Sequence, residues 1–197
     1  MPTSSLPFLQ RLACRCDRLN ESIGSTISWF TIVMVVFTFL IVVLRYMFNL
    51  GWIAMQESVT YLHAMVFMLG AAYTLKHEGH VRVDIFYQKA SIRSRAWVDL
   101  LGSIFLLMPM MMFILYSCWD YVMDSWMLLE DSPETGGLPA VFILKSAIIL
   151  LPILMIIQGV SMAIQNALLL MGIETPHDGH NGPACADTDN SISQEAK

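Results

Sequence analysis

The sequence predicts an all-α, polytopic membrane protein: four transmembrane helices, an N-terminal amphipathic helix, and both termini cytoplasmic. Four apolar runs each reach the ~20 residues that a bilayer core requires. Of the 197 residues, 56% are hydrophobic and only 14% charged, a poor composition for a water-soluble domain. Small or polar residues also recur every seventh position within the runs, a spacing that lines one helix face for contact with protein.

Residues 1–22 read as a cytoplasmic amphipathic leader. Leu9, Leu12, Cys16, Leu19 and Ile23 recur at helical spacing beside Arg11, Arg15 and Arg18, which suits a helix lying on a membrane surface. No continuous apolar centre precedes Asn20 and no cleavage pattern follows the first run, so that run is expected to remain as a helix. Residues 23–172 form the membrane domain, with spans at 23–44, 52–75, 97–119 and 139–171. Residues 173–197, with Glu174, Asp178, Asp187 and Asp189, read as a disordered acidic tail.

Lys and Arg set the expected orientation. Arg11, Arg15 and Arg18 precede the first span, and Lys76, Arg82, Lys89, Arg93 and Arg95 lie between the second and third. The segment between the third and fourth carries Asp120, Asp124, Glu130, Asp131 and Glu134 with no basic residue. The positive-inside rule therefore places the acidic loop and the turn near Asn49 outside the cytoplasm. With 11 basic against 16 acidic residues, no nucleic-acid partner is expected.

The helix faces carry the next level of information. Gly24, Thr31, Thr38 and Arg45 repeat along the first span; Gln56, Thr60, His63, Phe67, Gly70 and Thr74 along the second; Lys145, Pro152, Gly159 and Asn166 along the fourth. Helix packing is expected at Thr31, Thr38, Gln56, Thr60, His63, Gly70 and Gly159, because small residues allow close approach and hydroxyls can bond across helices in lipid. The competing reading is that the hydroxyls bond only to carbonyls of their own helix. Pro109 and Pro152 are expected sites of bending.

Three charges are expected at one depth. Arg45 ends the first span, and Glu57 and Lys145 lie roughly 8 to 9 Å inside the outer ends of the second and fourth at ~1.5 Å per residue. A structural ion-pair cluster is the expected arrangement, since an unpaired charge at such depth is costly. A haem site would need axial histidines on facing helices. His63 alone lies well inside a span, with His77 and His80 past its end and His177 and His180 in the tail. No catalytic constellation, metal-ligand spacing or phosphate-binding motif is evident, so no enzyme activity, metal or cofactor is expected.

Arg45, Tyr46, Met47 and Phe48, followed by Trp52 and Glu57, resemble the first-to-second span connection in small permease subunits of tripartite ATP-independent periplasmic (TRAP) transporters. Leu69, Gly70, Ala71 and Ala72, then Glu78, Gly79, His80, Val81, Arg82, Val83 and Asp84, are similar to that family's exit into the cytoplasmic loop. Gly136, Gly137, Leu138 and Pro139, with Lys145, Gln158 and Gly159, resemble a subset of the same family.

The resemblance implies a small subunit in the bacterial inner membrane. It would brace a large permease that takes up an organic acid with a sodium gradient, the acid being delivered by a periplasmic solute-binding protein. Sodium and substrate sites would belong to the large subunit. Glu78, Gly79, His80, Arg82 and Asp84 would anchor the cytoplasmic end of the bundle, and membrane lipid would surround it. Two other readings stay open: a membrane anchor of a redox enzyme, and an independent small transporter.

Overall fold

Among the described residues, 6–77 and 91–171 of a computed structural model, helices are the sole regular elements. They are α1 (Leu6–Phe48), α2 (Ile53–Lys76), α3 (Ile92–Gly102), α4 (Met108–Leu128) and α5 (Val141–Leu170), with a π-helical turn, Ser103–Leu107, joining α3 to α4. Four rods long and apolar enough to cross a membrane result, α3 and α4 making one of them.

α1 differs most from expectation. After Pro7 it holds no proline and only one glycine, Gly24, so nothing interrupts its 43 residues. At ~1.5 Å per residue it is ~65 Å long, about twice the ~30 Å hydrocarbon core. The described part of the leader is therefore continuous with the first span in one helix. Ala13, Asn20 and Ile27 are buried on it, so its early turns pack against the bundle. It ends where Asn49 takes a left-handed conformation at φ 53, a backbone region that asparagine tolerates better than most residues.

The third rod starts before and ends after the expected 97–119 stretch. Hydropathy stops at Arg93 and Arg95 on one side and at Asp120 and Asp124 on the other, but backbone bonding continues through all four. Ser91 caps the start, its Oγ accepting from the Ser94 N–H at 3.2 Å. Leu129, left-handed at φ 47, closes the end by donating its N–H to carbonyls of Ser125 and Trp126. The π turn ends two residues before Pro109. A proline lacks the N–H of a helix interior and crowds the carbonyl four residues back, and a widened turn relieves both demands.

α5 is the central helix. It packs on α1, α2, α3 and α4, while α1 and α2 also pack on each other. Its buried set, Ala147, Pro152, Leu154, Met155, Gln158, Gly159, Ser161, Asn166 and Leu168, runs nearly its full length. The helix continues through Pro152 without interruption. Gly159 is buried where a Cβ would come within 2.7 Å of Leu107 Cδ2, so this glycine serves close packing. Trp29, Ile32, Val36 and Phe39 of α1 and Phe105, Leu106, Met110 and Phe113 of the third rod are exposed. Apolar side chains facing outward over these stretches suit a lipid surround.

Candidate functional site

Polar chemistry gathers in three places. The first, at one end of the bundle, escaped the sequence reading. Asp17 Oδ1 accepts from Ser161 Oγ at 2.6 Å and Gln158 Nε2 at 3.1 Å, and its Oδ2 accepts from Gln165 Nε2 at 2.7 Å. Asn20 Nδ2 donates to Gln158 Oε1 at 2.6 Å, while Asn20 Oδ1 has no hydrogen bond among the described residues. Lys76 reaches over from α2, donating to the Asp17 carbonyl at 3.3 Å and to Glu21 at 2.5 Å. His77 Nε2 lies 3.0 Å from the same Glu21 oxygen. One carboxylate thus gathers three donors from α5 onto α1. The stripe on α5 could have signalled it: Gln158, Ser161 and Gln165 share a face of an otherwise apolar helix and need polar partners there.

The second place is the opposite end, where the α4–α5 loop folds back. The expected cluster of Arg45, Glu57 and Lys145 does not form among the described residues. Glu57 instead accepts from Ser132 Oγ and from the Leu138 N–H at 2.6 Å, so α2 is tied to the loop. Lys145 pairs with Glu130, which also accepts from Ser125 Oγ at 2.7 Å. The Lys145 ammonium lies 4.1 Å from the Tyr121 ring centroid, within reach of a cation–π contact. Trp126 Nε1 donates to Ser146 Oγ at 2.8 Å, a further clasp between α4 and α5. Arg45 is exposed at the end of α1. The loop supplies partners for Glu57 and Lys145 before Arg45 can, because it turns inward at Gly136, whose φ of 84 is one that glycine adopts without strain.

Hydrogen bonding from Lys145, and then from Ser125, holds the Glu130 carboxyl below its usual range against an opposing effect of burial. A depressed native pKa contributes stability above the unfolded value, about 4.3, and loses it as pH falls through the native one. The melting-temperature gap between wild type and Glu130→Gln in detergent should therefore be widest near neutral pH and close in acid. A gap that stays constant with pH would show that the Glu130 charge is not the source.

The third place is a face left uncovered. Thr31, Thr38, Gln56, Thr60 and His63 are exposed within this chain, so the expected packing of these residues is not made by its own helices. Thr38 Oγ1 donates to the Met34 carbonyl at 2.8 Å and Thr60 Oγ1 to the Gln56 carbonyl at 3.4 Å. These bonds to their own helix are the competing reading. Gly70 is half-buried, with nothing within 4 Å of an added Cβ, so it makes no close approach either. The heptad through Gly24 runs the other way: Ala13, Asp17, Asn20, Gly24 and Ile27 form the inward face of α1. Glu78, Gly79, His80, Arg82 and Asp84 lie outside the described residues.

Residues 34–169 match the family described as tripartite ATP-independent periplasmic transporters, DctQ component. The chain belongs to this family. No match was found among the curated proteins or the solved structures compared. As a DctQ component it is the small membrane subunit of a TRAP transporter, a multi-pass inner-membrane protein and not an enzyme. The family match begins at Met34, so the polar contacts of Asp17 and Asn20 lie ahead of the matched segment. The two bonds of Glu57 and the Lys145 pair lie inside it.

Proposed function

We propose that this subunit is a static brace for the large permease during sodium-coupled uptake of an organic acid delivered by a periplasmic binding protein. The observation that carries the reading is the commitment of its deep charges. Glu57 is taken up by the loop and Lys145 by Glu130, so both serve to fasten the bundle to itself. Transported ions need sites that can be emptied and refilled, as broken helices provide in secondary transporters. Among the described residues the irregular turn within a span, Ser103–Leu107, is largely apolar and joins two halves of an unbroken rod.

In this reading the Asp17 end is cytoplasmic and the loop end faces the periplasm, as the basic residues favour. Asp120, Asp124, Asp131 and Glu134 are exposed toward the loop end, where they can steer a binding protein during encounter.

The test is recovery of the tagged chain from its native membrane in mild detergent, followed by reconstitution. A large multi-span permease should accompany it at near-equal amount. Sodium-driven uptake should require that permease and the binding protein, with none from this chain alone. Flux through this chain alone would establish an independent transporter instead, and a soluble redox partner in place of the permease would establish an anchor.

A further inference from the structure

We propose that the groove between α1 and α2 seats one transmembrane helix of the large permease, and that this helix brings a hydrogen-bonding group to His63. The groove is lined by Met34, Val35, Thr38, Val59, Thr60 and His63, with a volume of about 450 Å³. His63 lies about ten residues in from Ile53, or ~15 Å at ~1.5 Å per residue. That is the middle of a ~30 Å hydrocarbon core.

An imidazole at this depth always has an N–H to donate and, when neutral, a ring nitrogen to accept. His63 is exposed and makes no hydrogen bond among the described residues. Its side chain is too short to reach the interface as a lysine can. An acyl chain offers it nothing, so lipid is a poor occupant of the groove. A helix is a good one. Small and hydroxyl-bearing surfaces are where helices associate in a bilayer, and the hydroxyl oxygens of Thr38 and Thr60 retain lone pairs after donating to their own helices.

The exposed stripe Gln56, Thr60, His63 and Phe67 covers about three turns of α2, the length of one helix crossing. The outward side of the third rod offers Phe105, Leu106, Met110, Met112, Phe113 and Met127 instead, a surface that lipid can wet. Membership in a tripartite transporter supplies the partner's identity, and the proposal rests on the brace reading to that extent.

The test is a disulfide scan in the intact complex. Val35→Cys in the groove and Phe113→Cys on the opposite side would each be paired with single cysteines along the spans of the large permease. Val35 and Phe113 are 61% and 65% exposed, so neither substitution disturbs the core. Val35→Cys should cross-link to one permease helix at every third or fourth position, and Phe113→Cys should not.

His63→Leu should leave the melting of the isolated chain unchanged or raised, and should lower permease recovery about fivefold, the scale of one interhelical hydrogen bond. His63→Gln should restore recovery. Cross-links from Phe113→Cys alone, or from Val35→Cys only to a second copy of this chain, would overturn the groove assignment while permease recovery kept the subunit reading intact. Unchanged recovery with His63→Leu would overturn the role of the imidazole. Loss of the permease from the wild-type preparation would overturn both readings together.

Discussion

Replacing Asp17 with alanine should cost the chain about 1 to 3 kcal/mol: it strands Gln158 Nε2 and leaves Ser161 only the Ala13 carbonyl at 3.2 Å and Gln165 only the Ser161 hydroxyl at 3.3 Å. Ser161 and Gln158 are 0% and 2% exposed, and Gln165 donates to the second oxygen of the same carboxylate at 2.7 Å. A buried donor without an acceptor loses its hydration and receives nothing in return. Asp17 itself is only half-buried, so water can recover part of the loss, which keeps the figure below the sum for three isolated groups. Asp17→Asn keeps one acceptor oxygen and should fall between the two. Thermal unfolding in mild detergent, followed by loss of soluble protein, measures the series. An alanine variant that melts with the wild type would mean that water, not Asp17, satisfies α5 at this end.

The second large effect is steric. A Cβ on Gly24 would overlap Cβ, Cγ and Cδ2 of Tyr73. The Cβ of Tyr73 cannot swing away as a ring edge can, so α1 and α2 must separate for Gly24→Ala to fit. Overpacking of this kind costs about 1 to 3 kcal/mol. The Tyr73 ring also lies tilted against His77 with centroids 4.3 Å apart, and His77 bonds Glu21, so the disturbance reaches the polar contacts of the Asp17 end. Gly70→Ala adds the same methyl group where nothing lies within 4 Å and should leave stability unchanged. Tyr73→Ala should rescue part of the Gly24→Ala loss in a double-mutant cycle, since the two sites share one contact. Equal melting of the two glycine variants would refute the close approach.

The number of spans and their class were legible because a bilayer imposes a length on any apolar helix that crosses it. Gly159 was legible for a related reason: a small residue at heptad spacing on a very apolar helix has few uses besides contact. Partner choice was not legible. Glu57 needs an acceptor's share of hydrogen bonds, but nothing in residues 50–60 says that Ser132 and Leu138 will supply them. Only the fold of the loop brings them near. Lys145 found Glu130 across that loop, while Glu57 is met by a hydroxyl and a backbone N–H instead of a basic side chain.

Direction was the other failure. Gly24 lies on a heptad that can be extended toward Arg45 or toward Ala13. The apolar run favours the first, because Asp17 and Asn20 lie ahead of it. The structure follows the second, since Gln158, Ser161 and Gln165 on α5 must bond to something. The stripe Thr31, Thr38, Gln56, Thr60 and His63 is exposed within this chain, so any helix packed on it belongs to another chain.

The unbroken length of α1 has a mechanical meaning. Its inner turns are clamped to α5 through Asp17 and Asn20, and its middle forms one wall of the open groove. A single rod therefore runs from clamp to groove without a joint. Force applied by a neighbour at the groove is resisted as it would be by a mast stepped in a hull: the mast does not fold partway up, and any displacement must turn the whole body or strain the footing.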